Sequence, residues 1–162
     1  MTAGWNFERR RDTCARFLIG VADVVSHLAD KDTNLERVRN RMRLSPEEAL
    51  FAARKLDEEH LIGFDPVGPV RSTARGIERA ATLVQAVRDK VGRHAEVERL
   101  LRAGGTPLAV VAAVIRANGG PLPCGAPDAD PDPDARYRLA LVSEEVVLER
   151  EGENGTFTAV RL

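Results

Sequence analysis

The chain has 162 residues, of which 43% are hydrophobic and 30% are charged, and its net charge at neutral pH is −1. This composition supplies enough apolar material for one compact domain or two small ones, and it excludes wholesale disorder. No apolar run is long enough to span a bilayer, and the arginines at positions 9–11 are not accompanied by the apolar stretch of a signal peptide. Two distant cysteines provide neither a disulfide framework nor a metal-binding pair. We therefore expect a cytoplasmic protein that uses no metal or other cofactor.

The positive charge is unevenly distributed along the chain. Residues 37–55 include six basic and two acidic side chains, which is a local surplus of four positive charges. A near-neutral protein with such a strip can still attract phosphate, because the local field decides the encounter.

The first predicted element is a long amphipathic helix over residues 6–29, with Asn6 as its N-cap. Two short helices with capping boxes follow. The first box is formed by residues 33–36, with Thr33 as the cap, and the second by residues 45–48, with Ser45 as the cap. Two boxes twelve residues apart predict a helix-turn-helix, whose second helix ends near residue 60. Two short extended segments around a Pro/Gly turn then predict a hairpin.

These segments carry a resemblance to a known fold. Ser-Pro-Glu-Glu at 45–48, Leu-Asp-Glu-Glu-His-Leu-Ile at 56–62 and Val-Arg-Ser-Thr-Ala-Arg-Gly at 70–76 follow one another in order. Over residues 6–81 the chain resembles the winged helix-turn-helix of bacterial transcriptional regulators of the MarR and PadR type. The resemblance implies that the second helix of the pair lies in the major groove of DNA and that the hairpin forms a wing.

The resemblance and the basic strip together predict the DNA-contacting residues. Arg54 and Lys55 are expected on the groove helix, Arg39 and Arg43 on flanking phosphates, and Arg71 and Arg75 on the wing. The start of the groove helix adds three further candidates: Ser45, Glu47 and Phe51. The competing interpretation of the arginines is a solvated, salt-bridged surface.

One feature departs from the resemblance. Glu47 and Glu48 occupy the first turn of the groove helix, where related proteins offer small polar or basic side chains, and Leu50 and Phe51 follow on the side expected to be exposed. An acidic and apolar exposed face is typical of a protein-docking module. The alternative function is therefore a non-catalytic adaptor that binds a partner protein through Phe51 and its neighbours.

The second half of the chain resembles no family that we recognise. Its pattern predicts a helix from residue 77 to 101 with a break at Gly92, a helix over 108–117, a solvated loop over 121–134, a strand over 137–141 and a hairpin around Asn154-Gly155. His27, His60 and His94 lie on three separate elements, so no catalytic or metal-binding constellation is predicted.

Taken together, we predict an α+β, mainly helical protein. Residues 1–80 form a winged helix-turn-helix domain, and residues 81–162 form a helical and β-hairpin region for dimerisation or sensing. The predicted function is sequence-specific binding of double-stranded DNA by a homodimeric transcriptional regulator that is not an enzyme. The predicted dimer contacts are the apolar side chains of two long helices: Phe17, Val21, Val24, Val25, Leu28, Val84, Val87 and Val91.

Overall fold

A computed structural model describes residues 6–27, 32–127 and 130–160 of the chain. The fold is α+β and mainly helical, with small antiparallel sheets. The chain divides into two compact units between Leu83 and Val84. The predicted boundary lies three residues earlier, after residue 80. Among the described residues, no helix combines the length and the apolar character needed to cross a membrane.

The first unit consists of three helices, three short strands and the beginning of a fourth helix. The elements are α1 (Phe7–His27), β1 (Asp32–Thr33), α2 (Leu35–Met42), α3 (Pro46–Glu58), β2 (Ile62–Phe64), β3 (Val70–Ser72) and α4 (Ala74–Val91), which runs across the division. The strands form an antiparallel sheet in the order β1-β3-β2, in which Val70 lies opposite Thr33 on one side and Phe64 on the other. The strand β1 was not predicted from the sequence.

The core of the first unit lies where α1 packs against α2 and α3. Most of the apolar stripe of α1 is buried there, although we predicted it as a dimer surface, and α3 contributes a face of small residues at helical spacing. Gly20 lets α1 approach α2 closely, because a Cβ at this position would collide with the Met42 side chain. The largest fully buried side chains of this unit are Phe17, Met42, Ile62, Val21, Val24, Val38 and Val70.

One of the two predicted capping boxes is present in the structure. Ser45 forms the expected capping box, since its hydroxyl accepts from the Glu48 N–H at 3.1 Å while the Glu48 carboxylate accepts from the Ser45 N–H at 3.0 Å. The predicted box at Thr33 is wrong. Asn34 is the N-cap of α2 and accepts from the Arg37 N–H at 2.9 Å, because Thr33 belongs to β1 and is held by the sheet.

The second unit combines two helices with a four-stranded sheet. After the end of α4, its elements are α5 (His94–Ala103), α6 (Gly105–Asn118), β4 (Leu122–Cys124), β5 (Tyr137–Val142), β6 (Glu145–Glu151) and β7 (Phe157–Ala159), and the antiparallel sheet has the order β4-β5-β6-β7. The helix α6 is buried from Ala109 to Ile115 and packs against α5, β5 and β6. The predicted break at Gly92 is confirmed, whereas the predicted loop over 121–134 contains the strand β4.

One polar cluster ties the loop before β5 to the sheet of the second unit. The Asp130 carboxylate accepts from Arg150 Nε at 2.9 Å, from Arg150 Nη2 at 3.3 Å and from the Tyr137 hydroxyl. The hydrogen bonds from Arg150 and then from Tyr137 hold the pKa of Asp130 well below its ordinary value. The aspartate-rich loop is therefore fastened at this residue by charge-assisted hydrogen bonds.

Candidate nucleic-acid interface

The connection between α2 and α3 is tight and carries two of the predicted contact residues. Arg43 is exposed and has a left-handed backbone with φ of 55°, and it is the C-cap of α2. Its own N–H and that of Leu44 bond back to Asn40 and Arg39 carbonyls. Ser45 then begins α3 directly. This short turn places Arg43 two residues before Ser45, the N-cap of α3.

The outward side of α3 has a mixed and mainly acidic charge. Arg54 is exposed on this helix, as is Glu47 in its first turn. Lys55 lies 3.8 Å from Glu58 and 4.0 Å from Glu59, so its ammonium group already has two carboxylate neighbours. From Pro46 to Glu58 the helix has four acidic and two basic residues. On this surface, Arg54 is the clearest long side chain that could donate hydrogen bonds to a base edge.

The hairpin presents a second pair of arginines. Arg71 is exposed on β3, and Arg75 is exposed in the first turn of α4. Thr73 fixes this region, since its hydroxyl contacts the carbonyl oxygens of His60 and Leu61, each at 2.9 Å, and accepts from the Gly76 N–H at 3.0 Å. The hairpin and the start of α4 are thereby held against the end of α3. Arg54 and Arg75 form no ion pair with any residue that the structure describes.

Two of the predicted contact residues have other contacts in the structure. Arg39 donates to the Glu36 carboxylate through Nε at 3.1 Å and Nη2 at 2.8 Å, and its side chain is only 25% exposed. Phe51 was expected on the exposed side of α3, and this expectation is wrong. The ring is half-buried and lines a cavity shared with α1, because its helical position turns it toward that helix.

The structure also corrects most of the predicted dimer contacts. Phe17, Val21 and Val24 are core residues of the single chain, and Val84 and Val91 are buried as well. Side chains that one chain already covers cannot supply new apolar area to a partner. Val25 and Val87 are half-buried and keep some exposed surface, and Leu28 lies outside the described residues. The amphipathic pattern predicted burial correctly but could not tell an internal core from an interface.

The first unit contains a cavity whose lining residues were not predicted from the sequence. The cavity has a volume of about 570 Å³ and lies within the first unit, between α1, the end of α3 and α4. Its walls include Arg10, Arg11, Lys55 and Arg79, which come from three separate elements. No local motif joins these residues. Cys14 and Leu18 belong to the apolar stripe of α1, and that stripe does not indicate a cavity.

Metal-ligating side chains do not cluster among the described residues. There, no three His, Cys, Asp or Glu side chains are grouped so that they could hold a metal ion. Burial raises the pKa of Cys14 to about 11 and that of Cys124 to about 12. Both thiols are therefore overwhelmingly protonated at neutral pH, and Cys124 is poorly suited to act as a redox sensor.

Comparison with known proteins adds no family assignment. No protein-family model, no curated protein and no solved structure matches this chain.

Proposed function

We propose that residues 6–83 form a winged helix-turn-helix, and that this unit binds double-stranded DNA through α3 and the β2–β3 hairpin. The order of elements supports the proposal: a helix, a short strand, a tightly connected helix pair and a two-stranded hairpin follow one another. The short strand and the hairpin form one sheet of order β1-β3-β2. In a winged helix-turn-helix the second helix of the pair enters the major groove and the hairpin reaches the adjacent backbone. The proposed role is regulation of transcription in the cytoplasm by a homodimer.

A single observation carries the proposal. Exposed arginines occur at each of the three places where such a unit would meet DNA: Arg43 at the turn, Arg54 on α3, and Arg71 with Arg75 at the hairpin and the start of α4. Each of these places therefore offers a basic side chain to a phosphate, although carboxylates share α3 with Arg54.

The charge of α3 determines what kind of binding to expect. Because Glu47, Asp57 and Glu58 are exposed on the same helix as Arg54, close approach to DNA costs electrostatic repulsion at several points. Most of the affinity must then come from arginines outside α3, on phosphates. Base discrimination depends mainly on Arg54, and a second half-site on a homodimer would supply the rest of the selectivity.

Two alanine variants of the full chain test this division. Arg71→Ala is expected to weaken binding to all duplexes. It should also reduce the slope of the logarithm of the affinity against the logarithm of the salt concentration by about one unit. Arg54→Ala is expected to cost about 1–3 kcal/mol on a site selected from a random pool and to leave random DNA little changed. Binding is measured by fluorescence anisotropy across a salt series.

Arg136→Ala is the matched control for both variants. This side chain is 80% exposed in the second unit, and the variant should bind like the parent. If Arg54→Ala and Arg71→Ala also bind like the parent, the arginines are a solvated surface and the proposed interface is wrong.

The acidity of α3 favours a second candidate function. The exposed carboxylates of Glu47, Asp57 and Glu58 would complement a basic segment of a partner protein, with the unit acting as a non-catalytic adaptor. Phe51 is no longer a docking residue in this alternative, since its ring lines the cavity. If Glu47→Gln with Glu58→Gln strengthens binding to duplex DNA, the adaptor function loses its support. If both the parent and this variant fail to bind DNA, the adaptor becomes the better account.

A further inference from the structure

The outward side of α3 carries two opposite charges on one line of the helix. Of the described residues 46–54, only Pro46, Glu47 and Arg54 are exposed, and Leu50 and Phe51 between the two charges are half-buried. Glu47 and Arg54 are seven residues apart, which is about 20° short of two full turns of an α-helix. Both side chains therefore leave α3 on the same side, opposite the buried face of the helix.

Glu48 is next to Glu47 in the sequence but has other contacts. Its carboxylate accepts from the Ser45 N–H at 3.0 Å in the capping box, and it lies 3.9 Å from the Arg9 guanidinium of α1. The Glu48 side chain is only 20% exposed. The first turn of α3 therefore presents the Glu47 carboxylate outward and holds the Glu48 carboxylate against the start of the helix.

The line from Glu47 to Arg54 matches the spacing of base pairs in DNA. Seven residues of α-helix rise about 10.5 Å, and three base-pair steps rise about 10.2 Å. In a helix-turn-helix, the N-terminal residues of the second helix contact the base edges. A helix that lies along the major groove would thus bring Glu47 and Arg54 to base pairs about three steps apart.

The two side chains suit different bases. A guanidinium donates to O6 and N7 of guanine, whereas a carboxylate only accepts and needs a base that donates in the major groove. Guanine offers only acceptors there, and thymine offers an acceptor and a methyl group. Adenine has an amino group beside its N7 acceptor, which repels a carboxylate, whereas cytosine has its N4 amino group and no acceptor on the same edge. Cytosine is therefore the base that Glu47 fits best.

We propose that Glu47 reads cytosine and that Arg54 reads guanine about three base pairs away, so that each α3 selects two G·C pairs at this spacing. The inference rests on the proposed DNA-binding function and names the class of site that this unit selects. Arg54 supplies attraction, whereas Glu47 acts largely by exclusion. A carboxylate that faces guanine or thymine meets acceptor atoms and phosphates without a compensating hydrogen bond. The acidic first turn, which departs from the resemblance, thereby determines specificity.

Selection of bound duplexes from a random pool tests the proposal on the full chain. The parent should enrich a cytosine and a guanine about three base pairs apart, on the same strand or on opposite strands. Four duplexes that carry C, A, G or T at the cytosine position of the selected site then give the base preference by fluorescence anisotropy. The parent should prefer cytosine there by about five- to fiftyfold, as expected for one base contact.

Glu47→Gln is the decisive variant, because it replaces a pure acceptor by an amide that both donates and accepts. Such an amide suits N6 and N7 of adenine. The variant should lose the preference for cytosine, favour adenine at that position and bind random duplexes more tightly than the parent, since the exclusion is gone. Arg54→Ala should do the opposite: it should keep the preference for cytosine and lose the preference for guanine.

Glu48→Gln is the matched control, since it removes the same charge one residue away. Glutamine can also close a capping box, so the start of the helix is retained. This variant should keep the parent's preference for cytosine even if its affinity for all duplexes rises. Circular dichroism verifies that each variant retains its helices.

The outcomes separate this inference from the proposed function. A parent that binds no duplex removes DNA binding and this inference together. If the parent binds DNA but has no preference for cytosine, or if Glu47→Gln keeps that preference, the inference is wrong and DNA binding stands. Equal loss of the preference in Glu48→Gln would assign it to charge alone and would also overturn the inference. Loss of the preference in Glu47→Gln alone, with or without a gain of adenine, supports it.

Discussion

Asp23 on α1 and Arg41 on α2 form a polar contact where these two helices pack. The Asp23 carboxylate is 2% exposed and accepts from Arg41 Nε at 2.9 Å. A buried carboxylate is tolerated only while it is paired. The pair fixes the register of the two helices around Gly20.

We expect Arg41→Ala to lower the free energy of unfolding by about 1–3 kcal/mol, because it removes a charged hydrogen-bond donor from a carboxylate that is 2% exposed. Glu36→Gln breaks the exposed pair with Arg39 and should change the same quantity by less than about 0.5 kcal/mol. Denaturant titration measures both values. Equal losses in the two variants would show that the burial of Asp23 does not matter to stability.

Asp130 makes the free energy of unfolding of the second unit depend on pH in the acid range. Its pKa is depressed in the folded chain by Arg150 and Tyr137, so the folded state favours the ionised carboxylate. The resulting stabilisation is fully present above the ordinary carboxyl pKa of 3.8, and it is lost as the pH falls below that value toward the lower folded pKa. Asp130→Asn should therefore be less stable than the parent at pH 7, and the difference should shrink below about pH 4. A difference that stays constant from pH 7 to pH 2 would contradict this assignment.

A capping box holds the start of α3. Ser45 and Glu48 satisfy two backbone N–H groups reciprocally. Pro46 occupies the first helical position, where a backbone N–H would have no partner within the helix. Ser45→Ala should cost about 1 kcal/mol in the free energy of unfolding, and Ser45→Thr should cost only a fraction of that. If the two variants are equally stable, the hydroxyl is not what holds the end of the helix.

The elements that could be predicted from the sequence are those whose cause is local. The Ser45 cap, the break at Gly92 and the hairpin around Gly155 depend on residues a few positions apart, and all three are present. The strands β1 and β4 have two and three residues and exist because β3 and β5 offer them hydrogen-bonding edges. The Thr33 cap failed for the same reason, since β1 takes that residue. The periodicity of a short segment does not show which distant strand it will pair with.

Some residues of the candidate site could be predicted from the sequence, and others could not. Arginines such as Arg43, Arg54 and Arg71 were predicted from the charge pattern and the resemblance, and they are exposed as expected. Phe51 was misassigned because a residue at the edge of a helical stripe turns inward only if a neighbour helix lies there, and the position of α1 is a tertiary fact. The cavity walls come from α1, α3 and α4 together, so they were beyond any local pattern.

For the whole molecule, the homodimer stays a prediction with fewer candidate contacts. Val25 and Val87 keep some exposed surface, and Ile77 on α4 is 58% exposed. We expect sedimentation at micromolar concentration to give twice the 17.7 kDa mass of one chain, and Ile77→Asp to shift the species toward the single chain. A parent protein that sediments as one chain at that concentration would remove the homodimer and leave one DNA-binding unit per molecule.

The affinity of the full chain for a random 30-base-pair duplex, measured across a salt series by fluorescence anisotropy, tests DNA binding most directly. With Arg43, Arg71 and Arg75 near the phosphates of the DNA backbone, the account predicts saturable binding at 50 mM salt. The logarithm of the affinity should fall with the logarithm of salt concentration with a slope of about −3 per protomer. Absence of binding at 50 mM salt, or binding that salt leaves unchanged, would contradict a phosphate-directed interface.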